Sequence, residues 1–110
     1  MILYGIPTCD SCRRALKELR DNGREVAFRD VRAEPLSEAE IAEIVQEFGD
    51  RAVNRQSTSY RAFSEFLRAS DPEAQIAAQP TVMKRPIIRS SAGWSLGWDE
   101  AAQKLQLNAE

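Results

Sequence analysis

The stretch GIPTCDSCRRALKEL, residues 5–19, places a Cys-x-x-Cys pair where a helical pattern starts, in a chain with no other cysteine and no histidine. Before it, ILYGI is a short apolar run bounded by Gly5 and Pro7, which reads as a buried strand. After it, Ala15, Leu16 and Leu19 fall at helical spacing between Cys12 and Asn22, with Gly23 as a stop signal. REVAFRDVR then alternates Val26, Phe28 and Asp30 as a second strand does. The chain therefore opens β-α-β, which at this length implies two parallel strands joined by a right-handed crossover.

LSEAEIAEIVQEFG carries a capping box, Ser37 with Glu40 three residues on, followed by Ile41, Ile44, Val45 and Phe48 on one stripe and Gly49 as terminator. In SYRAFSEFLRAS, Tyr60, Phe63 and Leu67 keep helical spacing, and Asp71-Pro72 restarts a helix, since proline suits the first turn. The middle is thus predicted as a helical run over residues 37–79. Beyond it, Ile87 and Ile88, a Ser-Ser-Ala-Gly turn at 90–93 and WSLGW predict an antiparallel hairpin, and Asp99 caps a last helix through Leu105. This order predicts an α/β protein of thioredoxin-like layout, with a helical insertion at about 37–79 and a mixed sheet of about four strands.

A length of 110 residues fits one domain, 1–110, large enough to bury a core without staples. With 43% hydrophobic and 29% charged residues the chain has a globular balance, not that of a disordered segment. A net charge of −2 provides no general attraction for nucleic acid, so any anion site must come from local arginine clustering. The N-terminus lacks a basic region and an apolar core of signal-peptide length, and nothing approaches the roughly 18–20 apolar residues of a membrane span. The expectation is a cytoplasmic monomer with no membrane and no direct nucleic-acid partner. In that reducing compartment two cysteines three positions apart are a poor staple, because closing so small a loop constrains the unfolded chain little. Reactivity or metal binding is the better expectation.

A helix N-terminus concentrates unpaired N–H groups and the positive end of the macrodipole, both of which favour a thiolate. Cys9 sits where that field is strongest, and Arg13 and Arg14 one turn later add positive potential. Cys9 is therefore the candidate nucleophile, with a depressed pKa, and Cys12, already in the helix and less exposed, the candidate resolving thiol. Zinc needs about four ligands, which two cysteines without histidine do not supply, so no metal is expected. A Cys-His nucleophile is excluded by composition. Two unreactive core cysteines remain the alternative, because free cysteine is commonly buried; the strand-then-Cys-x-x-Cys-then-helix context favours the redox motif.

Arginine supplies twelve of the fifteen basic residues, and Arg51, Arg55, Arg61 and Lys84-Arg85 fall in loops or at helix starts. Arginine forks bind oxyanions or carboxylates at two points, although a solvated surface charge is the ordinary reading of any one of them. Arg85 stands apart because it precedes Pro86 at the start of a strand that pairs near the first. X-Pro bonds are where cis peptides occur, and a cis Arg85-Pro86 bond would turn that backbone toward the cysteine loop. A trans proline opening a strand is the alternative.

These motifs, in this order, resemble the arsenate reductase (ArsC) family in its Spx-like and YffB-like branch: YGIPTCDSCRRAL, FRDVRAEPLSEAEI, VNRQSTSYR, MKRPII and LGWDE. The resemblance runs nearly end to end. It implies a thioredoxin-like fold with a helical insertion, a nucleophile matching Cys9, an arginine before a cis proline matching Arg85, and an oxyanion-facing arginine matching Arg55. In the family's arsenate reductases the thiolate attacks arsenate, glutathione displaces the adduct and glutaredoxin regenerates the thiol, which implies glutathione as co-substrate and no bound cofactor. The chain departs from them in having Cys12, and in having Trp98-Asp99 where they carry a third substrate-binding arginine. The second cysteine matches Spx-like regulators, which bind RNA polymerase through its α subunit and switch on a disulfide; YffB-like members look like glutathione-dependent thiol reductases. The expected function is a glutathione- or glutaredoxin-linked thiol oxidoreductase acting through Cys9 on arsenate or a disulfide. The alternative is an Spx-like redox regulator with a Cys9–Cys12 switch.

Overall fold

The computed structural model describes residues 1–108. Its architecture is α/β: a four-stranded mixed sheet in the order β2-β1-β3-β4, built from β1 (Ile2–Gly5), β2 (Ala27–Asp30), β3 (Ile87–Ser90) and β4 (Gly93–Leu96). β1 and β2 run parallel, as the β-α-β opening requires, while β1–β3 and β3–β4 are antiparallel. Two compact units are present, Met1–Val31 with the segment from Arg85 onward, and the intervening Arg32–Lys84.

The first unit holds the sheet, α1 (Asp10–Asp21) and α6 (Glu100–Leu107). α1 starts two residues earlier than the apolar spacing predicts, because the turn before it delivers Cys9 as the N-cap. Its inner face, Cys12, Ala15 and Leu19, packs with Leu3, Val26, Ile88, Trp98 and Ala102 in one buried cluster. Leu3 and Ile88 are cross-strand partners, so β1 and β3 present one apolar face together. The helix stops where expected: Asn22 donates its side-chain amide to the Glu18 carbonyl at 2.9 Å, and Gly23 takes φ +79°. The Ser90–Gly93 hairpin forms as predicted, and Asp99 caps α6 by accepting the Ala102 N–H at 2.9 Å.

In the second unit the capping box at Ser37 is complete, with Ser37 Oγ accepting the Glu40 N–H at 3.1 Å and Glu40 returning a carboxylate oxygen to the Ser37 N–H at 2.9 Å. It opens α2 (Glu38–Phe48). The remainder is not one run. It comprises α3 (Thr58–Arg61), α4 (Glu65–Arg68) and α5 (Pro72–Ala78), with short 3-10 turns at Gly49–Ala52 and Pro80–Val82. The Tyr60, Phe63, Leu67 spacing spans a break, because Ser64 ends one turn and caps the next by accepting the Leu67 N–H at 3.3 Å. Among the described residues no helix is long and apolar enough to cross a membrane.

Candidate active site

The turn from Ile6 to Cys9 presents the first thiol. Cys9 donates its N–H to the Ile6 carbonyl at 3.2 Å, with Pro7 at the second position of the turn, where its fixed φ fits. Cys9 then caps α1 with extended backbone (φ −84°, ψ 122°), but its side chain makes no capping bond. The sulfur is half-buried and free, whereas Cys12 is fully buried and also free. Gly5 is what lets Cys12 lie there: a β-carbon built on Gly5 collides with the Cys12 Sγ.

The two thiols have opposite acidities. Burial opposes ionisation of Cys9, but the backbone N–H of Cys12, the Cys12 thiol and the Arg85 guanidinium all favour its thiolate, and together they hold it below the ordinary thiol value. Burial dominates Cys12 and, with Cys9 alongside, pushes it up to about 12 against the pull of the Ile6 backbone and Arg85. Cys12 therefore keeps its proton at neutral pH and donates it toward the Cys9 sulfur. The pair thus has one thiol biased toward the thiolate and one built-in hydrogen-bond donor.

The structure brings together Cys9, Cys12 and Arg85, and the Arg85-Pro86 peptide is cis. Arg13 is exposed and forms an ion pair with Asp10 one turn away. Arg55 belongs to the second unit, in the wall of a cavity there with Arg51 and Lys84. Trp98 is buried, and its indole N–H donates to the Glu18 carboxylate of α1, while Asp99 is used as the α6 cap. The Trp98 indole N–H is thus engaged by Glu18, and Asp99, a carboxylate, offers an anion no donor. Sequence reasoning passed over Glu18 and the packing role of Gly5. The signal for the first was present, because a buried indole N–H needs an acceptor. Among the described residues no three cysteine or carboxylate side chains gather as a metal site.

A parallel β1–β2 pair, an antiparallel β3–β4 hairpin directly preceded by a cis proline, and a cysteine pair at the start of α1 define a thioredoxin-type α/β protein. The chain belongs to the ArsC family, whose model matches residues 4–104. Its fold is similar to the solved structure of a YffB protein, at a TM-score of 0.84 and 27% identity over 96% of this chain and 97% of that one. It is also similar to an arsenate reductase (ArsC) related protein from Brucella melitensis, at a TM-score of 0.72 and 27% identity over 94% of this chain and 89% of that one. A global transcriptional regulator, Spx 1 of Bacillus cereus, is 30% identical over 104 residues, covering 89% of this chain and 79% of the regulator.

Proposed function

We propose that this protein is a cytoplasmic thiol oxidoreductase in which the Cys9 thiolate is the nucleophile and glutathione, with glutaredoxin, the reductant. The observation that carries this reading is the unequal thiol pair: Cys9 held below the ordinary thiol value beside Arg85, and Cys12 pushed up to about 12 beneath it. The Cys9 sulfur attacks one sulfur of a substrate disulfide, the substrate S–S bond breaks, and a Cys9 mixed disulfide forms as the other half leaves as a thiolate. A glutathione thiolate then attacks the substrate sulfur of this mixed disulfide, so the bound half leaves as a mixed disulfide with glutathione and the Cys9 thiolate is the leaving group; glutaredoxin then reduces the released mixed disulfide. Cys12 stays protonated and stabilises the Cys9 thiolate in the resting enzyme. Arg85 supplies the positive charge that meets the developing anion.

Arsenate is the harder substrate for this site. In arsenate chemistry Cys9 would add to arsenic with loss of hydroxide, and the anion needs several charged donors, each contributing about 1.5–3 kcal/mol. Trp98 and Asp99 are committed to Glu18 and to the α6 cap, which supports a disulfide over arsenate.

A second reading, a redox regulator acting on RNA polymerase through a Cys9–Cys12 disulfide, is favoured by the hydrogen bond between the two thiols and by the likeness to the Spx regulator. Turnover of reduced protein with glutathione, glutaredoxin and a recycling system separates them, with arsenate and a small disulfide offered in parallel and Cys9→Ser as the blank. Disulfide turnover that is lost in Cys9→Ser and kept in Cys12→Ser supports the enzyme. Silence on both substrates with ready Cys9–Cys12 oxidation supports the regulator.

A further inference from the structure

The second unit carries nine carboxylates against six cations between Arg32 and Lys84. Three of those six, Arg51, Arg55 and Lys84, nevertheless line a single cavity of about 590 Å³ whose only carboxylate is Asp50. Among the described residues none of these three cations forms an ion pair, and Asp50 pairs with none of them. All three side chains are exposed, and their placement together concentrates positive potential at one place in an otherwise acidic unit.

Backbone pairing brings the residues of the cluster side by side. Asn54 donates its N–H to the Val82 carbonyl at 2.7 Å and Lys84 its N–H to the Ala52 carbonyl at 2.8 Å, around a bridge between Val53 and Met83. Two stretches of chain carrying the three cations are thereby tied side by side. Arg51 lies 5.9 Å over the ring of Phe48, a contact that orders the guanidinium without using its N–H donors. The cavity volume is in the range of small-molecule sites.

We propose that this cavity binds a small organic polyanion, a molecule carrying two or more phosphate or carboxylate groups. A single carboxylate would leave two of the three positive charges unmatched, whereas two acidic groups can meet the cations carried on the two paired stretches of chain, and arginine forks accept phosphate and carboxylate in the same two-point geometry. The family resemblance assigns only Arg55, and to a single oxyanion; Arg51 and Lys84 carry the new assignment. The site is contained in the second unit and does not depend on the thiol chemistry of Cys9.

Calorimetric titration of the full-length reduced protein at low salt, with pyrophosphate in one arm and citrate in the other, tests this. The expected result is saturable 1:1 binding in at least one arm. It should weaken roughly tenfold in Arg51→Gln and again in Lys84→Gln, in line with the loss of one charged hydrogen bond each. Asp50→Asn should tighten it, a direction that misfolding does not mimic, and Cys9→Ser should leave it unchanged. Pyrophosphate alone binding assigns a phosphate ligand, and citrate alone a polycarboxylate. Failure of both probes, or equal affinity in the Arg51→Gln/Lys84→Gln double variant with an unchanged circular dichroism spectrum, overturns the proposal. So does loss of binding in Cys9→Ser, and because that variant is the blank for turnover, failure of the enzyme reading is seen separately.

Discussion

The Cys12 Sγ occupies the space that a β-carbon on Gly5 would need. Gly5 ends β1 and Cys12 lies in the first turn of α1, so the helix sits directly on the strand at the point where the buried thiol is held. Gly5→Ala forces Sγ to move within a packed cluster and should cost about 1–3 kcal/mol in urea unfolding. In a Cys12→Ala background the same change should cost less, because the clashing sulfur is gone. Additive effects in this double-mutant cycle would refute the close packing of the two residues.

Alkylation separates the two thiols. Cys9 should react with iodoacetamide far faster than Cys12 at neutral pH, with a pH midpoint below that of an ordinary thiol. Site-resolved mass spectrometry reads both rates in one sample, and equal rates would contradict the division of acidity.

The midpoint of Cys9 should rise in Arg85→Gln and in Cys12→Ala. Each variant removes a group that favours the thiolate, while the burial that opposes ionisation remains. Thiolate absorbance in the ultraviolet, followed through a pH titration of each single-cysteine or arginine variant, measures it. An unmoved midpoint in Arg85→Gln would remove Arg85 from the site.

Cys12 makes stability fall at alkaline pH. Its folded-state pKa of about 12 lies above that of the unfolded chain, so the native state holds a proton that the unfolded state releases. The contribution is complete below the ordinary thiol value and declines as pH rises through it toward 12, by up to about 1.4 kcal/mol per pH unit. Cys9 works the other way: its lowered pKa favours the folded state above the ordinary thiol value, and that contribution is lost as pH falls through the folded pKa. Urea midpoints at a series of alkaline pH values should decline more gently in Cys12→Ala than in wild type.

Trp98 and Glu18, eighty positions apart, should be energetically coupled. Trp98→Phe leaves the Glu18 carboxylate without its indole donor, and an expected loss of about 1–3 kcal/mol follows from the charged hydrogen bond. Glu18→Gln keeps an acceptor at the same place and should cost less. A Trp98→Phe/Glu18→Ala cycle with zero coupling would show that the indole contributes by packing alone.

The local elements were legible because their signals are short-range. The Ser37 capping box, the stop at Asn22-Gly23, the Ser90–Gly93 turn and the Asp99 cap each lie within four residues of the backbone they organise, and all four form as read. The β-α-β opening and the hairpin followed from periodicity and turn chemistry in the same way. The division of the middle into α3, α4 and α5 was not legible, because the apolar spacing of Tyr60, Phe63 and Leu67 continues across the break and only the competition of Ser64 for the Leu67 N–H marks it.

By itself the sequence determined that Cys9 heads a helix after a strand, since proline, cap and apolar spacing are neighbours along the chain. The tertiary structure alone decided which charges act there. It set Arg85 beside the Cys9 sulfur, committed Trp98 to Glu18, and enclosed Cys12 over Gly5. Desolvation and Coulomb interaction depend on distance through space, and residues far apart in sequence acquire that distance only when the sheet and its helices pack.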